Sequence, residues 1–182
     1  MSDSGLREEV YDLLYVKHRP ELAVLLVNRV LEEEPENVEA LSFKAYALNK
    51  LANVTKDWNY STSAIESADK ALVLNPVHDI ALTSKGWALI DLGKASESIP
   101  YLIRATTVNS RNEYAWYNLA WAQYLTGTFA ESSTSIAKAL ALSPNNAIIR
   151  RGKRMMKSGK LPRHLRHKSG FQQSALSYSY WH

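Results

Sequence analysis

The residues best suited to chemistry are few and poorly assembled. His164 and His167, in His164-Leu-Arg-His167, have a spacing that suits a metal ion, but they lie in a basic stretch with no carboxylate or thiolate nearby. The pair reads as solvated. Glu32-Glu-Glu34 is a dense carboxylate run at the C-terminal end of a predicted helix, and it reads as a solvated face rather than as an acid–base pair. No Gly-rich phosphate loop, HExxH, CxxC or GxSxG occurs. The chain has no cysteine, which excludes disulfides, thiolate zinc sites and a Cys nucleophile together. The expectation is a non-catalytic chain without metal or cofactor.

What the sequence does organise is helices. Over residues 113–146, Trp116, Leu119, Ala120 and Gln123 recur at the spacing of one helical face. Gly127 breaks the pattern, Ser132, Ile136, Ala139 and Leu140 form a second stripe, and Pro144 stops it. The unit repeats upstream. Gly86, Gly93, Ser98 and Ala105 stand where Ala120, Gly127, Ser132 and Ala139 stand, and further back come Ala64, Ala71 and Pro76. Four units result, over about 4–37, 38–78, 79–112 and 113–146. The first is degenerate, with Arg7 at the Trp116 place and Tyr11 at the Ala120 place. The second holds seven extra residues, expected in its turn around Trp58. Asn37, Asp79 and Asn112 are placed to cap first helices, Pro20 to start a second helix, and Pro100 to perturb one without breaking it. Residues 147–158 predict a capping helix, with Ile148, Ile149, Met155 and Met156 on one apolar stripe.

Trp116, Leu119, Ala120, Gly127, Ala139 and Pro144 in register resemble the tetratricopeptide repeat. Gln123 departs from the aromatic residue usual there, and Ser132 from the usual Ala. The resemblance implies an all-α, right-handed solenoid of helix–turn–helix units whose first helices line a concave surface. It places Tyr46, Trp87, Tyr114, Tyr117, Asn118 and Trp121 on or beside that surface as candidate partner-binding residues. Tyr124, Ile80, Thr83, Ser84, Glu39, Ser42, Phe43, Asn49, Glu8, Glu9, Asp12 and Tyr15 extend it. Trp116 reads as core, Trp87 and Trp121 as groove or core, and Tyr117 as groove. Some relatives grip a C-terminal carboxylate with a Lys/Asn/Arg clamp. Here Ser42, Tyr46, Ser84, Tyr114 and Asn118 stand at those places without a cation, so the surface suits an apolar or mildly basic peptide.

The 182 residues, 46% hydrophobic, suffice for one packed domain. The net charge of +4 conceals an asymmetry. Residues 1–146 carry 13 Lys and Arg against 18 acids, a net −5, whereas residues 147–182 carry nine Lys and Arg and no acid, a net +9. Residues 159–182 show no periodicity and predict a flexible basic tail. Arg150, Arg151, Lys153, Arg154, Lys157, Lys160, Arg163, Arg166 and Lys168 supply its charge and that of the capping helix. Those cations are solvated, touch nucleic acid or an anionic membrane surface, or fold back on the acidic body. The N-terminus does not resemble a signal peptide, and no apolar run approaches the roughly 20 residues of a membrane span, so a cytoplasmic location is expected. Together these features predict a scaffold or adaptor that binds a partner protein's peptide or helix in its groove. A tail-driven nucleic-acid or membrane-surface accessory protein is the alternative.

Overall fold

A computed structural model describes residues 3–161 of the chain. Most of the tail expected over 159–182 lies outside the described residues, and with it Arg163, Arg166, Lys168, His164 and His167.

Each predicted unit forms a pair of helices. The first unit is α1, Asp3–Tyr11, which runs into a five-residue π segment, Asp12–Val16, followed by α2, Pro20–Glu33. The second is α3, Val38–Thr55, and α4, Asn59–Leu74; the third is α5, Asp79–Asp91, and α6, Ala95–Val108. The fourth is α7, Glu113–Leu125, and α8, Phe129–Leu142, and α9, Ala147–Lys157, follows. Local chemistry sets the ends. The side-chain oxygens of Asn37, Asn112 and Asn146 accept from the amides of Ala40, Ala115 and Ile148 at 2.8, 3.0 and 3.0 Å. These bonds satisfy donors that every helix start leaves open. Pro20 opens α2, where its missing N–H costs nothing, and Pro100 sits inside an unbroken α6.

Two expectations are corrected. Asp79 is not a cap: His78 holds that place without a capping side-chain bond. The Asp79 carboxylate instead accepts from the side-chain amides of Asn109 and Asn112, at 2.7 and 3.0 Å, and ties the start of α5 to the loop between α6 and α7. The extra residues of the second unit are also not in its turn. Helix α3 has 18 residues against 13 in α5 and α7, and α4 has 16 against 14 in α6 and α8. The reason is one residue. Ala52 stands where Gly93 and Gly127, both at positive φ, end the other first helices. The helix therefore runs on to Lys56, which takes the left-handed conformation instead, with φ 64°.

Small residues let the helices cross closely. A Cβ on Gly86 would lie 2.5 Å from Leu102 Cγ, and Ala45, Ala71, Ala105, Ala120 and Ala139 are fully buried. A larger side chain at such a place costs about 1–3 kcal/mol in strain. Ser132 keeps the close approach and adds a bond, its hydroxyl donating to the Ala120 carbonyl at 2.7 Å. First helices pack on one another, α3 on α5 and α5 on α7, with no comparable packing of α4 on α6 or α6 on α8. The stack therefore curves with its first helices on the inner, concave side.

The inner face and its two aromatic clusters

Tyr46, Trp87 and Trp121 hold the same place in units two, three and four, on the inner side of α3, α5 and α7. The structure divides them between two clusters.

In the first, the Tyr46 and Trp87 rings meet edge to face at 5.7 Å. Tyr15, on the π segment, reaches across the concavity. Its hydroxyl meets that of Tyr46, and its ring stacks on Tyr114 of the fourth unit with centroids 6.2 Å apart and planes 27° apart. Tyr11 stacks behind Tyr15 at 5.5 Å and meets Phe43 edge-on. Lys50 points into this box. Its Nζ is 4.4 Å from the Tyr15 ring centroid and 5.6, 5.7 and 5.9 Å from those of Tyr46, Trp87 and Tyr114. No salt bridge to Lys50 occurs among the described residues. Burial pushes its amine down to about 8, while the π faces around it favour the cation. Burial pushes the Tyr15 and Tyr46 phenols well up, so both stay neutral hydrogen-bonding groups.

The second cluster is drier. Trp121 is 6% exposed and meets Tyr117 edge-on at 6.5 Å and Tyr124 at 5.7 Å. Tyr124 is fully buried, its phenol pushed up to about 12 by desolvation, and its ring meets Phe129 at 5.7 Å. Helix α9 closes this cluster with Ile149, Gly152 and Met156. A Cβ on Gly152 would stand 2.5 Å from Tyr117 Cε2. The buried stripe of α9 differs from the expected one, since Ile148 is exposed and Gly152 takes its share of the face.

The comparisons agree with this architecture. A family model described as tetratricopeptide repeat matches residues 83–147. Those residues carry the tetratricopeptide repeat. Among solved structures, it is similar to MamA residues 41–end from Desulfovibrio magneticus RS-1, at 21% identity over 86% of this chain and 82% of that one, with a TM-score of 0.60. It is also similar to the Arabidopsis OM64 tetratricopeptide domain, at 20% identity over 68% of this chain and 96% of that one, TM-score 0.56. YrrB, a tetratricopeptide-repeat protein with an unusual peptide-binding site, matches at 18% identity over 87% of this chain and 77% of that one, TM-score 0.54. No curated protein matches the chain in sequence. Proteins of this fold generally serve protein–protein interaction, and as a class they are non-catalytic scaffolds. Among the described residues, no helix is long and apolar enough to cross a membrane.

Of the residues read from the sequence, the repeat protein gathers Tyr46, Trp87 and Tyr114 into the first cluster, and Tyr117 and Trp121 into the second, beside buried Asn118. Ser42, Phe43, Asn49, Thr83, Ser84 and Tyr124 are buried between helices. Gln123 accepts from the Ser135 hydroxyl at 2.7 Å, a polar link between α7 and α8. Lys50 was missed, although it lies four residues after Tyr46 on the same helical face.

A polar network was missed too. Glu39 accepts from Arg7 of the first unit at 2.6 Å and pairs with His78 Nε2 at 2.9 Å, so Arg7, the apparent misfit of α1, joins unit to unit. Burial alone raises the Glu39 carboxyl, but the bonds from His78 and Arg7 outweigh it and hold the group below its ordinary value. His78 Nδ1 lies 3.0 Å from the Ser42 hydroxyl. Ser42, His78 and Glu39 are the residue types of a nucleophilic relay. Ser42, however, is fully buried, and its hydroxyl donates to the Val38 carbonyl at 2.7 Å. The network joins the first two units and offers no reachable nucleophile.

Proposed function

We propose that this chain is a scaffold or adaptor whose concave face binds a peptide or helix of a partner protein. The observation that supports the reading best is the half-open box of Tyr46, Trp87 and Tyr114 around Lys50. Rigid aromatic rings with polar edges give large contact area at little entropic cost, and a cation among them adds directional attraction. Tyr117, Asn118 and Trp121 continue the face toward α9 and act chiefly by holding its shape. The peptide binding of YrrB, a protein of the same fold, is consistent with such a use.

Photo-crosslinking tests this. A crosslinking residue in place of Trp87, on the concave face, captures the partner, whereas one in place of exposed Thr134 on α8 does not. Equal capture from both places sinks the reading. A second reading rests on α9, where Arg150, Arg151, Arg154 and Lys157 are exposed, Lys153 is half-buried, and exposed Lys160 follows, with no acid among residues 147–161. Such a strip suits nucleic acid or an anionic membrane surface. Binding through this strip together with the basic stretch after it would weaken steeply with salt and weaken further on deleting residues 159–182.

A further inference from the structure

The box is not empty: the chain fills it with its own tyrosine. Tyr15 is held there through side chains. Its hydroxyl meets the Tyr46 hydroxyl, its ring lies on Tyr114, and the Lys50 ammonium sits over its face. The helices of the first unit pack on one another and on α3, with no comparable packing on α5 or α7. Across the concavity, then, the first unit reaches the fourth through this ring stack rather than through packed helices. The segment that carries Tyr15 is also unlike its counterparts. It is a π segment, with the Lys17 amide donating to the Asp12 carbonyl at 2.9 Å, and His18, two residues past its end at Val16, is a non-glycine residue at φ 54°. Wide turns and left-handed residues of this kind persist where surrounding contacts hold them.

We propose that Tyr46, Trp87, Tyr114 and Lys50 form a subsite for a tyrosine side chain of a partner peptide, and that Tyr15 is its built-in occupant, displaced when the partner binds. The occupant states the specificity. A phenol satisfies the Tyr46 hydroxyl, its electron-rich ring suits Lys50, and its flat face suits Tyr114. Phenylalanine keeps two of these contacts and leucine none of the directional ones. Because the internal tyrosine competes, the apparent affinity of the peptide is lowered by the fraction of molecules whose box is closed. The proposal rests on reading the concave face as the binding surface.

The test titrates the peptide acetyl-Ala-Ala-Tyr-Ala-Ala-amide, and its Phe and Leu analogues, into the 15N-labelled full chain and follows the Trp87 indole N–H. Tyr15→Ala is expected to bind the Tyr peptide at least about 10-fold more tightly than the unsubstituted chain, in the order Tyr, Phe, Leu. Circular dichroism checks its fold. If Tyr15→Ala does not fold, Tyr15→Phe, which removes only the hydroxyl contact, is expected to gain about 3-fold. Equal affinity of the unsubstituted chain and whichever variant folds, with shifts at Trp87, overturns the occupant proposal alone. Saturable shifts confined to α4, α6 and α8 overturn the concave-face reading beneath it.

Discussion

Two clusters of aromatic residues descend from the same repeat positions and end in opposite states. Trp121 meets Tyr117 and Tyr124, sequence neighbours in its own unit, Tyr124 in turn meets Phe129, and α9 seals the cluster. Tyr46 and Trp87, at the equivalent places, meet each other and share the Lys50 cation, and Tyr46 also meets Tyr15 of the first unit. One helix makes the difference. The last unit needs a cover for its apolar face and receives α9. Units two and three already have neighbours on both sides, so no added helix covers their inward rings: Tyr46 is buried against Tyr15 and its own neighbours, and Trp87 stays half-buried. The same repeat position is thus covered by a helix at the end of the stack and left without one within it.

The largest expected effect breaks the comparison directly. Trp121→Ala should destabilise the chain by about 3–5 kcal/mol, as a buried aromatic does, seen as a lower urea midpoint. Trp87→Ala, half-buried, should cost about 1–2 kcal/mol and chiefly lose partner binding. Equal losses of stability would show that the two clusters do not differ.

The seal itself is next. Gly152→Val forces a side chain onto the Tyr117 ring and should cost about 1–3 kcal/mol. Amide hydrogen exchange should accelerate in α9 and α7 while the Tyr46–Trp87 side stays protected. Acceleration spread evenly over all units would mean that α9 is not a local cover.

The other side of the comparison is held partly by charge. Glu39→Gln should cost about 1–2 kcal/mol at pH 7, because Arg7 and His78 lose an ionised partner. The folded carboxyl lies below its unfolded value near 4.3, so this stability is fully present above about pH 4.3 and is lost as pH falls through the folded value. The gap between the Glu39→Gln variant and its parent should therefore close in acid. A gap that is unchanged down to about pH 3 would show that the charge is not what counts.

Architecture was legible in the sequence because each unit announces itself locally: Gly86, Ala120 and Ala139 mark close crossings, and Asn37 and Asn112 mark helix starts. The site was legible only in part. Repeat register places Tyr46, Trp87 and Trp121 on the inner side, but register cannot say which of them a later helix covers. Nor does spacing reveal contacts between units one and four, which depend on the accumulated curvature of the stack and on the π segment that presents Tyr15. Arg7 looked like a defect because its partner, Glu39, lies in another unit.

A change of pH sharpens what is special about the open cluster. The Lys50 amine should titrate near pH 8, read from its side-chain carbon shifts, against about 10.4 for an ordinary lysine. Between those values the unfolded chain holds a proton that the folded chain has released, so stability should rise from about pH 8 to about pH 10. Above about pH 10 the sign reverses, because Tyr15, Tyr46, Tyr117 and Tyr124 ionise less readily folded than unfolded. Lys50→Met should flatten the first rise and leave the later fall. A titration of Lys50 near its ordinary value would instead mean that the four rings hold the cation as well as water does, and the rise should then be absent from the parent too.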